Sequence, residues 1–206
     1  MTCGKPARAT ARISRILVVG LLVGIAAIAA AVCPLPTTSM ASALIGVLPD
    51  EHRGALGEAD GILPAGTTVF AGDLPGIANL DPTLLDALRR AATDAAHDGV
   101  NVFVESGWRS PAYQDQLLRQ AVSTYGSEAA AARWVATAET SPHVSGEAVD
   151  LGPADAVAWL AKHGADYGLC QIFRNEPWHY ELRPQAIGKQ CPRMYADPTH
   201  DPRFQP

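Results

Sequence analysis

Residues 16–32 run for seventeen positions without a charged side chain, and no other stretch of the 206-residue chain is long and apolar enough to approach a bilayer span. Lys5, Arg8, Arg12 and Arg15 precede the run, and the small-residue segment Ser39-Met40-Ala41-Ser42-Ala43 follows it. A basic start, an apolar middle and an A-x-A-like end read as a secretory signal, with a retained N-terminal membrane anchor as the alternative. Either reading places the remaining chain outside the cytoplasm, because the positive end stays inside. Cys33 follows Val32, which is not the small residue that usually precedes a lipid-bearing cysteine. Residues 1–43 are thereby assigned to targeting, and the fold is expected from what comes after.

The charge of that remainder limits its partners. The formal net charge of the chain is -5, but four of its sixteen cations and none of its twenty-one acids lie in residues 1–43. The body is left with twelve cations against twenty-one acids, which argues against a nucleic-acid partner, since phosphate contacts need a concentrated basic face. With 48% hydrophobic and 18% charged residues, the chain is neither disordered nor fibrous.

Export also changes how the cysteines read. Cys3 and Cys33 fall in the targeting segment, and the body keeps Cys170 and Cys191. Two cysteines in an oxidising compartment are most simply a disulfide, which would close a loop of about 20 residues and contribute on the order of 3 kcal/mol. A nucleophilic Cys170 working with His179 is the competing reading, and pairing with Cys191 would consume its thiol.

Residues 44–80, rich in Gly and Pro and without a sustained period, read as a linker and irregular lead-in. The domain proper is expected over residues 81–206. Asp81-Pro82 supplies an N-cap and a proline at the first helical position, and Leu84, Leu85, Leu88, Ala91, Ala92 and Ala95 then repeat at helical spacing up to Gly99. Residues 100–105 read as a strand. Ser110-Pro111 opens a second helix, Ser127 opens an alanine-rich third extending to about Ala138, and residues 153–163 form a fourth. Residues 147–151, 171–173 and 178–182 read as short strands. The order of elements predicts an α+β fold with a small antiparallel sheet flanked by helices.

Six histidines occur, and two have unusual neighbours. His143 sits in Ser141-Pro-His-Val-Ser-Gly146-Glu-Ala-Val-Asp150, and His179 in Glu176-Pro-Trp178-His179. A hydrolytic zinc site needs two or three imidazoles, often one carboxylate, an open position for water, and a separate carboxylate to take the water's proton. His143, Asp150 and His179 can supply the ligands and Glu176 the base. On spacing alone, a lone histidine is more often a surface or satisfied core residue than a ligand, and two histidines with nearby acids do not by themselves make a metal site. His52, His97, His163 and His200 show no partner pattern and read as surface residues. Trp134 and Trp159, on expected helices, read as core, and Trp178 as core or pocket wall.

The pattern S-x-H-x-x-G-x-A-V-D followed by E-x-W-H resembles the zinc D-alanyl-D-alanine carboxypeptidase and dipeptidase family of the VanY type. Upstream, Ser106-Gly107-Trp108-Arg109-Ser110 resembles that family's S-G-Y-R-S element, with Trp108 in place of the usual tyrosine. The resemblance implies a fold shared with hedgehog-like domains and zinc as cofactor, with ligands His143, Asp150 and His179 and catalytic base Glu176. It also implies that Arg109 binds the substrate carboxylate, that Gln114 and Ser141 contact substrate, and that Gly146 needs a tight backbone. Trp178, beside His179, is placed with the substrate-binding residues.

The implied activity is an exported D,D-carboxypeptidase removing the terminal D-alanine of peptidoglycan stem peptides. Arginine suits such a role because its planar fork can grip a carboxylate in two places. An L,D-carboxypeptidase on tetrapeptide stems, an endopeptidase of the same fold, and a metal-stabilised wall-binding domain without turnover are the alternatives. Other hydrolase signatures are missing: no S-x-x-K, no H-E-x-x-H and no G-x-S-x-G is present.

Overall fold

A computed structural model describes residues 55–204. The apolar run at 16–32, His52, Cys3 and Cys33 lie outside the described residues. Among the described residues no helix is long and apolar enough to cross a membrane.

Four antiparallel strands form one sheet: β1 (Phe103–Ser106), β2 (Ala148–Gly152), β3 (Leu169–Gln171) and β4 (His179–Leu182), in the order β1-β2-β4-β3. The helices are α1 (Pro75–Ala78), α2 (Pro82–His97), α3 (Pro111–Tyr125), α4 (Glu128–Ala131) and α5 (Ala154–His163). This is the α+β arrangement the sequence predicts. Helix α2 starts where expected because the Asp81 carboxylate accepts hydrogen bonds from the Thr83 and Leu84 amides. Its buried stripe of Leu84, Ala87, Leu88, Ala91, Ala92 and Ala95 packs in one core with Val104, Val149, Leu151, Leu160 and Tyr180. Small side chains along that stripe allow close packing against the sheet.

Strand β2 lies inside the sheet, between β1 and β4. Val149 and Leu151 enter the core, while Asp150 points to the opposite face, as strand alternation requires. In the β2–β4 ladder Asp150 is paired with His179, and in the β1–β2 ladder with Ser106. The register slips between Val104 and Ser106, leaving Glu105 as the extra residue of a bulge. A bulge bends its strand and re-aims the residues that follow, here the segment leading to Arg109.

The stretch before Asp81 is irregular, yet it contributes Val69, Ile77 and Leu80 to the core. It also supplies a short helix, α1, that the sequence pattern does not reveal. Two loops of the site rest on its backbone. The Trp108 amide donates to the Gly76 carbonyl, and a side chain at Gly107 would collide with that same carbonyl. Gly146 has φ +77° and would meet the Asn79 carbonyl if it carried a Cβ. Both positions therefore require glycine for close backbone approach, and Gly146 also for its left-handed conformation.

The alanine-rich helix expected from Ser127 to about Ala138 stops at Ala131. Tertiary partners take over beyond it. Trp134 stacks on Tyr125 with ring centroids 5.7 Å apart, the Arg133 carbonyl accepts from Asn175, and the Ala136 carbonyl accepts from Gln114 Nε2. Alanine propensity is a weak preference that such contacts override.

Candidate active site

His143 follows α4 on the turn-rich loop that runs into β2. Its Nδ1 lies 2.8 Å from the Gly107 carbonyl, which can only accept, so Nδ1 carries the proton and Nε2 presents a lone pair. His179 begins β4. Its Nε2 lies 3.3 Å from Glu181 Oε1, so this nitrogen donates to the carboxylate and, in the neutral ring, Nδ1 presents a lone pair. Asp150 Oδ1 completes the group. The three atoms stand 3.3 Å (His143 Nε2 to His179 Nδ1), 3.3 Å (His179 Nδ1 to Asp150 Oδ1) and 3.5 Å (His143 Nε2 to Asp150 Oδ1) apart.

With both rings neutral, three acceptors converge here, the arrangement a cation satisfies; without one, a proton shared between His179 and Asp150 takes that place. Ligands about 2.0–2.1 Å from a tetrahedral ion stand about 3.3–3.4 Å from one another, so these residues fit such an ion without rearrangement. The described residues contain one cluster of His, Cys, Asp and Glu able to hold a metal, and it is this one. Three protein ligands leave a fourth position open, as in catalytic sites. The outer hydrogen bonds that the two rings donate to the Gly107 carbonyl and to Glu181 fix both ring orientations.

The protein charges around the group are tightly coupled. Burial opposes the ionised form of Asp150, but His143, His179 and Arg109 outweigh it and hold its carboxyl well below the usual range. Burial lowers His143, and the Arg109 charge adds to the effect. For His179 burial also acts downward, yet the hydrogen bonds and charges of Asp150 and Glu181 prevail and raise it to about 9. Glu176 is 7% exposed, with Oε2 4.0 Å from His179 Nδ1. Burial raises its carboxyl to about 7, the His179 charge opposing and the Asp150 charge assisting. A carboxylate poised near neutrality beside the three candidate ligands can both take and return a proton.

Arg109 reaches the site from the β1–α3 turn, and each of its guanidinium nitrogens donates to the protein. Nε contacts Ser106 Oγ at 2.7 Å, one terminal nitrogen Gln114 Oε1 at 3.2 Å, and the other Asp150 Oδ2 at 2.6 Å. The last bond occupies the Asp150 oxygen that does not face the histidines, so Arg109 turns Oδ1 toward the cluster. Gln114 is buried, holding Arg109 with its oxygen and the Ala136 carbonyl with its amide.

A cavity of about 240 Å³ opens over the cluster, lined among others by Arg109, Gln114, Ser141, Glu176 and Trp178. All the sequence-predicted site residues therefore come together around one cavity. Trp178 is a partly exposed wall, and Trp134, expected in the core, is also at the cavity wall and 36% exposed. Trp108 is not among the lining residues; its indole donates to the Val144 carbonyl and braces the loop that carries His143.

Cys170 and Cys191 form a disulfide, which removes the nucleophilic reading of Cys170. Sequence reasoning missed Glu181, the acceptor of His179, and the two arginines that surround it, Arg183 and Arg203. The spacing His179-x-Glu181 puts both residues on one face of β4, which is the signal that could have found the first of them.

Residues 78–185 match the family described as "VanY: D-alanyl-D-alanine carboxypeptidase". A D-alanyl-D-alanine carboxypeptidase of Enterococcus faecalis (strain ATCC 700802 / V583) is 32% identical over a stretch covering 42% of this chain and 42% of that protein. The match therefore spans less than half of that relative's length. Among solved structures, an LD-carboxypeptidase, LdcB, has a TM-score of 0.50 at 22% identity, covering 62% of this chain and 71% of that one, and shows the shared fold. A mutant of the vancomycin-resistance D,D-pentapeptidase VanY, in complex with Zn(II), has a TM-score of 0.47 at 27% identity, over 50% of this chain and 72% of that one.

Proposed function

Because the chain belongs to the VanY family of D-alanyl-D-alanine carboxypeptidases, we propose that it is an exported zinc carboxypeptidase that removes the C-terminal D-alanine of peptidoglycan stem peptides. The observation that carries this reading is the convergence of His143 Nε2, Asp150 Oδ1 and His179 Nδ1 beside the buried Glu176. Zinc(II) held by these three residues supplies Lewis acidity to a water nucleophile and to the scissile carbonyl.

The chain's own groups do the rest. Glu176 accepts the proton of the attacking water and returns it to the departing amine. Arg109 keeps Asp150 oriented and offers its remaining N–H groups to the free carboxylate of the substrate, which restricts cutting to the chain end. Trp178 and Trp134 wall the cavity, and Ser141 and Gln114 line it. The disulfide supports an extracytoplasmic location, since such bonds persist in oxidising compartments. Residues 1–43 would deliver the protein there as a cleaved signal or a membrane anchor.

The test is incubation of purified, zinc-loaded protein with pentapeptide and tetrapeptide stems, read by mass spectrometry. Release of one D-alanine from the pentapeptide is expected. Release from the tetrapeptide alone would make it an L,D-carboxypeptidase, and no release from either would leave a wall-binding domain.

A further inference from the structure

The family match ends at residue 185, yet the chain continues and returns to the site. Three observations meet at Glu181. It is 1% exposed, and its Oε1 is the atom 3.3 Å from His179 Nε2. Arg203, on the 3-10 turn Pro202–Phe204 of the tail, grips it with two nitrogens, at 2.7 Å to Oε2 and 3.1 Å to Oε1. Asp201, itself buried, fixes the other side of that guanidinium, with a closest contact of 2.6 Å. Arg183 touches only Oε2 of Glu181, at 2.7 Å. Of the two cations, Arg203 alone holds the oxygen that faces His179.

We propose that Arg203 is a positioning residue for the metal centre: by clamping Glu181 in a two-point grip it keeps Oε1 against His179 Nε2 and so keeps His179 Nδ1 turned toward His143 and Asp150. The inference rests on the zinc reading above and extends it to a segment the family match leaves out. Without Arg203 the buried carboxylate retains a single cation, on its far oxygen, and is free to swing toward Arg183. His179 then loses the acceptor that fixes which ring nitrogen is protonated, the kind of outer hydrogen bond on which metal affinity depends. The tail is anchored at two points before it reaches Arg203. Cys191 is bonded to Cys170, which lies directly across the β3–β4 ladder from Glu181, and Asp197 is ion-paired with Arg133 at 3.0 Å. Pro198 and Phe204 of the same segment line the cavity.

The experiment is zinc affinity by chelator competition on the full exported chain, with the visible spectrum of the cobalt-substituted protein as a second readout. Arg203→Ala is expected to weaken zinc about tenfold or more and to alter the cobalt spectrum, measured well below its melting temperature so that only folded protein is read. Arg203→Lys should recover part of the affinity, because an ammonium makes one contact where the fork makes two. If Arg203→Ala does not fold, Arg203→Lys and Glu181→Gln carry the comparison, each expected to fall between wild type and an empty site. Wild-type zinc affinity and cobalt spectrum in a folded Arg203 variant would overturn the proposal and leave the zinc reading standing. A wild-type protein that binds no zinc would overturn both.

Discussion

Asp150 and His179 are direct partners across the β2–β4 ladder, and their side chains meet on one face of the sheet with Oδ1 and Nδ1 3.3 Å apart. Two of the three candidate ligands are thus set by strand register. A one-residue slip would turn Asp150 into the core and Val149 outward, so the hydrophobic demand that fixes the fold also fixes the site. Only His143 comes from a loop, and it is held there by the Gly107 carbonyl and the glycine turn at 146.

Glu176→Gln is expected to keep the metal and lose the chemistry. The amide cannot accept a proton, so turnover should fall by about 10²–10⁴-fold, while zinc content, read by atomic emission, stays at one per chain. His143→Ala and His179→Ala should lose the metal itself. Loss of zinc from Glu176→Gln would reassign that residue as a ligand.

The direction of cutting is tested by a two-by-two comparison of wild type and Arg109→Ala on a D-alanyl-D-alanine peptide, as free acid and as amide. Amidation removes the charge Arg109 is expected to bind, at a cost of about 2–5 kcal/mol, or roughly 30-fold to several thousand-fold in kcat/KM. In Arg109→Ala the acid should lose a similar factor and the amide little more, since both changes remove one interaction. Because Arg109 also holds Asp150, zinc content of the variant is measured alongside. Equal cleavage of acid and amide by the wild type would identify an endopeptidase.

Asp197 gives the stability a defined acid limb. Burial would raise its carboxyl, but hydrogen bonds from Thr199, His200 and Arg133 outweigh it and lower it to about 2 from 3.8. A depressed carboxylate stabilises the fold above its unfolded pKa and loses that contribution as pH falls toward the folded one. Asp197 should therefore contribute about 2 kcal/mol at pH 7 and about half of that near pH 3. Urea unfolding of wild type and Asp197→Asn at both pH values checks this: the gap between them should narrow on acidification. A gap independent of pH would show that the charge is not what matters.

Reduction of the disulfide should lower stability by about 3 kcal/mol, the entropic value for a closed loop of this size. The Cys170→Ser, Cys191→Ser double variant should show the same loss in thermal melts while retaining activity. A folded but inactive double variant would restore a chemical role for the sulfur.

Much of this was legible before any coordinates. Asp81-Pro82 and the leucine–alanine stripe define α2 because an N-cap and a helical period are local signals. The ligand set followed from a resemblance of motifs, and the sheet brings those motifs together. Helix α4 was overextended because alanine content speaks of propensity and says nothing of the Trp134–Tyr125 stack that ends it. Glu181 and Arg203 stand twenty-two positions apart, and their pairing depends on the path of a proline-rich tail that carries no period. The packing of residues 61–80 was invisible for a different reason: the contacts at Gly76 and Asn79 are made by backbone carbonyls, which leave no trace in side-chain patterning.

Those two carbonyls bear on where the protein can be cut. Gly107 and Gly146 rest on Gly76 and Asn79, and Val69 and Ile77 fill the core beneath them. A fragment beginning at Asp81, the boundary suggested by helical periodicity, would keep every candidate ligand and the base yet remove the floor under both loops that aim His143. A piece meant to fold and hold a metal is therefore expected to need the residues from before Val69, and a transplant of this centre into another scaffold to need its backbone support as well as its ligands.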